Sequence, residues 1–147
     1  MSLINKVKVN TNYTRSINLE RDVAGGANIW PYIPTDRALQ TLSRIVDTIN
    51  SENNPRAWSL IGPYGSGKSA FGLFLSQLLS NTDSVGSKHA RGTLKKANSI
   101  LAAKTKKILS GKKGFCSINL TGSSEVLSKR LVKAMLTGTK EFIGEKK

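Results

Sequence analysis

The chain has 147 residues, of which 38% are hydrophobic, and its 23 lysines and arginines against 9 acidic residues give a net charge of +14. This length is enough for one compact domain with its own core, and the apolar fraction is that of a folded protein rather than a disordered one. No apolar run approaches the roughly 20 residues that span a bilayer, and the N-terminus has no signal-peptide core, so we expect a cytoplasmic protein that makes no membrane contact.

The chain has too few cysteines and histidines for a disulfide, a His/Cys metal cluster or a Ser-His-Asp catalytic set. The single cysteine, Cys116, cannot form an internal disulfide, which agrees with a reducing compartment. It lies in an apolar run, so we expect a buried structural thiol rather than a nucleophile. With His89 as the one histidine, the sequence offers neither a His/Cys metal cluster nor a Ser-His-Asp catalytic set.

The N-terminal elements are predicted first. Residues 1–30 mix short alternating apolar runs with polar stretches, which favours an extended arm, and residues 31–147 carry the folded domain. Thr35 is placed to cap a helix, with an acidic residue in the first turn behind it. Apolar residues then recur at helical spacing, which predicts an amphipathic helix over residues 36–50.

Two short apolar runs, residues 57–61 and 114–120, are bounded by turn residues and predict buried strands. Helical spacing predicts helices over about 68–80 and 88–110, and a last helix that starts after the turn at 121–124. The order helix, strand, loop, helix, helix, strand, helix predicts an α/β fold, a parallel sheet with helical crossovers.

Between the first predicted strand and its helix lies the sequence GPYGSGKS, a full match to the phosphate-loop pattern G-x-x-x-x-G-K-[ST]. A triphosphate needs many donors in a tight arc, and glycines let backbone N–H groups curl that closely. The following helix turns its positive end toward the phosphates. Lys68 is predicted to reach the β- and γ-phosphates, and the Ser69 hydroxyl to bind Mg²⁺. The predicted phosphate contacts are Gly62, Pro63, Tyr64, Gly65, Ser66, Gly67, Lys68, Ser69 and Ala70.

The positive charge is concentrated in residues 88–113. No acidic residue occurs between Asp83 and Glu125, while nine basic residues fall inside that stretch. Such a surface attracts phosphate backbones, so nucleic-acid contact is one interpretation. A solvated helix face, or a face that packs on an acidic surface outside this chain, is the other. The residues predicted to contact nucleic acid are Lys88, Arg91, Lys95 and Lys96.

The phosphate loop, its strand and an upstream helix of the form P-T-x-R-A-L-x-x-L resemble P-loop ATPases of the AAA+ and STAND type. More narrowly, RSINLERD, YIPTDRALQTL, WSLIGPYGSGKSAF and FCSINLTGSSEVLSKRLVKAML resemble the N-terminal part of very large bacterial ATPases found among anti-phage defence genes. The resemblance covers roughly residues 15–137 and implies an AAA+-like P-loop NTPase domain. It also implies ATP and Mg²⁺ as ligands, Lys68 as a catalytic residue, and a homo-oligomer as the assembly.

By the same resemblance, Tyr32 and Ile33 would lie near the adenine ring, although both could equally pack on the sheet. Such ATPases need an apolar strand that ends in an acid, which holds Mg²⁺ and activates water. The run after the loop instead ends in Thr121-Gly122, and Glu125 is the first acid beyond it. We therefore expect the N-terminal part of a longer ATPase, whose remainder is its partner. The alternative is a non-hydrolysing module for nucleotide or nucleic-acid binding or for assembly.

Overall fold

The computed structural model describes residues 17–19, 22, 32–49, 51, 54–80, 83–111 and 114–144. Most of the predicted arm, residues 1–30, lies outside these ranges. Among the described residues, no helix is both long and apolar enough to cross a bilayer. Five α-helices have described bounds: α1 (Asp36–Ile49), α2 (Lys68–Leu79), α3 (Val85–Ala97), α4 (Ser99–Leu109) and α5 (Leu127–Ile143).

The prediction of an α/β, AAA+-like P-loop NTPase fold with a parallel sheet and helical crossovers is wrong, because the described part of the chain is all-helical and contains no β-strand. The two predicted strands form neither helix nor paired strand. They are called the first extended segment, 57–61, and the second extended segment, 114–120. An apolar run favours an extended backbone, but a strand also needs a neighbouring chain to accept and donate its backbone hydrogen bonds. Neither run pairs with another strand among the described residues, and the Ile61 side chain remains 94% exposed.

The predicted helices are confirmed, with one change. The hydroxyl of Thr35 accepts a hydrogen bond from the Ala38 N–H at 3.3 Å, which is the predicted cap of α1. The single helix predicted over 88–110 is two helices, because Asn98 leaves the helical conformation at φ −155°. Its side-chain oxygen accepts from the Leu101 N–H at 2.9 Å and so starts α4. Asparagine favours such caps over helix interiors because its amide competes for backbone groups.

The hydrophobic core is built by the first four helices. α1 packs on α4, α4 on α3, and α3 on α2. Burial of one such leucine side chain contributes about 1.5–3 kcal/mol, so this cluster is the main source of stability. Its buried members are Leu42, Ile45, Val46, Phe71, Phe74, Leu78, Ala90, Leu94, Leu101 and Ile108.

The second extended segment docks on the C-terminal end of α2. The Phe115 N–H donates to the Leu79 carbonyl at 2.9 Å, and the Ser76 hydroxyl donates to that of Ser117 at 2.9 Å. A Cβ at Gly114 would lie 2.3 Å from the Ser80 carbonyl oxygen, so only glycine permits this approach. The side chain of Cys116 is exposed, so the prediction of a buried thiol is wrong; Phe115 and Ser117 on either side of it contact α2, and Cys116 lies on the surface.

Helix α5 meets the same segment through a glycine. Gly138 is buried, and a Cβ there would lie 2.7 Å from the Ser117 carbonyl oxygen. Many apolar side chains of α5 are exposed, including Leu127 at 72% and Leu136 at 59%. The close backbone contact at Gly138 is therefore a principal point at which α5 is held.

Substitution Gly138→Ala tests this contact. We expect a loss of about 1–3 kcal/mol in the free energy of unfolding, measured by urea denaturation, because the new methyl group must displace the backbone at Ser117. Gly92→Ala is the matched control in α3, where a Cβ meets nothing within 4 Å. That variant should gain about 0.5–1 kcal/mol from helix propensity. Equal changes in the two variants would contradict the packing described for α5.

Candidate phosphate-binding site

The loop between the first extended segment and α2 is a tight turn built on two glycines. Gly65 has φ 78° and Gly67 has φ 82°, values that residues with a side chain rarely adopt. The Ser66 N–H donates to the Pro63 carbonyl at 3.3 Å and closes the turn. The chain therefore curls at Gly67, a glycine that the phosphate-loop pattern fixes, and at Gly65, which the pattern leaves open.

Helix α2 begins directly behind this turn, and its N-terminus has no side-chain cap. Its N-cap residue is Gly67, whose carbonyl accepts the first helical hydrogen bond, from the Phe71 N–H at 2.9 Å. The backbone N–H groups of residues 68–70 therefore precede the helical hydrogen bonds, at the positive end of the helix dipole. Such an end is suited to an anion.

The Lys68 side chain folds back over the turn. Its Nζ atom donates to the Gly62 carbonyl at 2.9 Å and to the Pro63 carbonyl at 2.7 Å, and it lies 3.4 Å from the Ser66 hydroxyl. The ammonium group is thus held beside the glycine turn. The Ser69 side chain, one position later, is exposed to solvent. The nine predicted phosphate contacts, 62–70, form one continuous turn and helix start, with Tyr64 97% exposed.

The two residues predicted near adenine have different surroundings. The Tyr32 ring stacks on Phe74 of α2, with the ring centroids 4.6 Å apart, and burial raises the pKa of its phenol. Ile33 is 77% exposed. Packing thus accounts for Tyr32, on a helix rather than on a sheet, and an adenine-binding role for either residue stays a prediction.

The four basic residues predicted to contact nucleic acid do not share one environment. Lys88 lies 3.8 Å from Asp83 in an ion pair. Arg91 and Lys95 line a cavity between helices together with Lys106, whereas Lys96 lies outside this lining. Nucleic-acid contact stays a prediction. The sequence does not predict that Lys106 lines the same cavity as Arg91 and Lys95, because this placement depends on the helix break at Asn98, which brings α4 against α3. The capping preference of asparagine was the available signal for that break.

Carboxylates for metal binding are not grouped in the described residues, which contain no cluster of three or more His, Cys, Asp or Glu side chains. Glu125, the first acid after the second extended segment, lies 3.9 Å from the Arg130 Nε atom. Arg130 also donates to the Thr121 carbonyl. The metal ligand that the sequence predicts is the Ser69 hydroxyl, to which bound phosphates would add their own oxygens.

Gly67→Ala tests the backbone conformation of the turn. A Cβ at Gly67 meets no atom within 4 Å, so its effect comes from the positive φ alone. We expect a loss of about 1 kcal/mol in the free energy of unfolding. Gly122→Ala is the control, since that position is also open and has no positive φ. Urea denaturation that shows equal stability for both variants would contradict the left-handed turn.

No protein-family model matches the chain, and neither curated proteins nor solved structures give a match. The resemblance to AAA+ and STAND ATPases therefore stays a prediction. The case for a phosphate site is carried by residues 62–70 and their geometry.

Proposed function

We propose that residues 62–70 bind the triphosphate of a nucleotide together with Mg²⁺. The observation that carries the proposal is the position of the Lys68 ammonium group. It lies against a turn formed by Gly65 and Gly67, next to a helix start without a side-chain cap. A positive side chain, unpaired backbone donors and a helix dipole thus act on one small volume.

The present acceptors of Lys68 are neutral carbonyl oxygens, which a bound phosphate can replace. Hydrogen bonds from an ammonium group to a charged oxygen are roughly twice as strong as those to neutral acceptors. A triphosphate would therefore draw the Nζ atom from the Gly62 and Pro63 carbonyls. The folded-back side chain keeps the charge in place before the ligand arrives, which lowers the ordering cost of binding.

Ser69 is the proposed Mg²⁺ ligand from the protein. Its side chain is exposed in the first turn of α2, one residue from Lys68. Mg²⁺ commonly uses few protein ligands and takes the rest from phosphates and water. A single hydroxyl is therefore sufficient when a triphosphate supplies oxygens beside it.

Nucleotide binding is the part of the function that the loop supports. ATP as the base-specific ligand, hydrolysis by a longer ATPase, a homo-oligomer and a role in anti-phage defence are proposals that rest on the resemblance. Glu125 forms an ion pair with Arg130, so we do not assign it as the water-activating acid. A non-hydrolysing nucleotide-binding module fits the same loop equally well.

Lys68→Ala tests the site directly. We expect Mg²⁺-ATP to bind at least about tenfold more weakly to this variant than to the unaltered chain, since a charge-assisted hydrogen bond contributes about 1.5–3 kcal/mol. Binding is measured by the fluorescence anisotropy of an ATP analogue labelled on the ribose, with unlabelled ATP as competitor.

Lys129→Ala is the matched control, because Lys129 also lies in the first turn of a helix, α5, and its replacement removes the same charge. It should leave the affinity within about twofold, the size expected for a solvent-screened charge outside the loop. If both variants lose affinity equally, net charge and not the loop binds the nucleotide. If neither variant loses affinity for the nucleotide, the proposed site is wrong.

A further inference from the structure

A second concave site lies away from the phosphate loop, where α2, α3 and α4 meet. It has a volume of about 400 Å³, which lies within the range of roughly 300–1,000 Å³ typical of small-molecule sites. Its floor is formed by side chains that belong to the core or border it. The aliphatic lining residues are Leu78, Leu94, Leu109, Ala102 and Ala103.

Three basic residues line the same cavity. Arg91 and Lys95 are one turn apart on α3, and Lys106 comes from α4. The described residues that line it include no carboxylate, although the chain has acidic residues elsewhere. Two cations of α3 and one of α4 thus line a cavity with an aliphatic floor, and Ser99 and Thr105 are its other described polar lining residues.

The lining also restricts the class of ligand. Sites that hold nucleic-acid bases use aromatic side chains as stacking platforms, and the part of this lining that the structure describes has no aromatic residue. The lining hydroxyl of Thr105 already donates to the Leu101 carbonyl at 2.8 Å within its helix. The described lining residues therefore offer apolar contact with the aliphatic floor, the Ser99 side chain and attraction by the three cations as means of recognition.

We propose that the cavity between α2, α3 and α4 binds a small aliphatic anion, an alkyl chain that carries a carboxylate. The chain lies on the floor formed by Leu78, Leu94 and Leu109, and the carboxylate lies near Arg91, Lys95 and Lys106. Burial of the alkyl chain supplies most of the affinity. The cations select an anionic head group over a neutral one.

The basic side chains offer a matched test, because each exposed lysine that lines the cavity has a neighbour that does not. Lys95 and Lys106 are in the lining, whereas Lys96 and Lys107 adjoin them on the same helices outside it. The double variants Lys95→Gln/Lys106→Gln and Lys96→Gln/Lys107→Gln thus remove equal charge from adjacent surface positions. All four lysines are exposed, so both variants should fold.

Octanoate is the probe, with octan-1-ol and inorganic phosphate as comparison ligands. Each is titrated into the full ¹⁵N-labelled chain while amide chemical shifts are recorded. We expect saturable shifts at Leu94, Ala102 and Lys106 with octanoate. The lining variant should bind octanoate about tenfold more weakly, as expected for the loss of two partly screened charge contacts. The neighbouring variant should bind as the unaltered chain does.

Three results would overturn the proposal. The first is equal loss of octanoate affinity in the two double variants, which would mean that overall charge attracts the anion. The second is a comparison ligand that binds as octanoate does: octan-1-ol with equal affinity, or phosphate alone with saturable shifts of the same amides. The third is octanoate shifts confined to the exposed apolar residues of α5.

Discussion

The burial of α2 is the constraint on which the rest of the structure depends. Phe71, Phe74 and Leu78 join the common core, and Leu73 is also buried at 2% exposure. A helix that buries apolar residues to this extent has its axis fixed by neighbours on more than one side. Its N-terminus carries the glycine turn and its C-terminus receives the second extended segment. Packing far from the proposed phosphate site therefore determines where the turn and Lys68 lie.

Local features of the sequence predicted local structure well. Thr35 as a cap, the apolar spacing behind it and the glycine turn before Lys68 each depend on a few neighbouring residues, and each occurs in the structure. The phosphate loop could be recognised from the sequence because its glycines, lysine and serine stand at fixed spacing. Its open helix start and folded-back lysine follow from the same residues.

Long-range pairing could not be predicted in this way. The runs 57–61 and 114–120 have the composition of buried strands, yet composition does not specify a partner for the backbone. Phe115 donates a backbone hydrogen bond to the C-terminal end of α2, and Ser117 contacts α2 and α5. Gly114 and Gly138 allow these approaches because they have no side chain. The cavity between α2, α3 and α4 could not be predicted for a similar reason. Lys106 lines it together with Arg91 and Lys95 only because the chain turns back at Asn98 before α4.

The central claim is that the backbone of the glycine turn and the first turn of α2 bind phosphate. The most direct measurement is a titration of the ¹⁵N-labelled chain with Mg²⁺-ATP, followed through the backbone amides of Gly65, Gly67, Lys68 and Ser69. Amides that donate to phosphate oxygens should show large, saturable shifts with a common dissociation constant. Saturable binding that leaves these four amides unmoved while others shift would contradict the account.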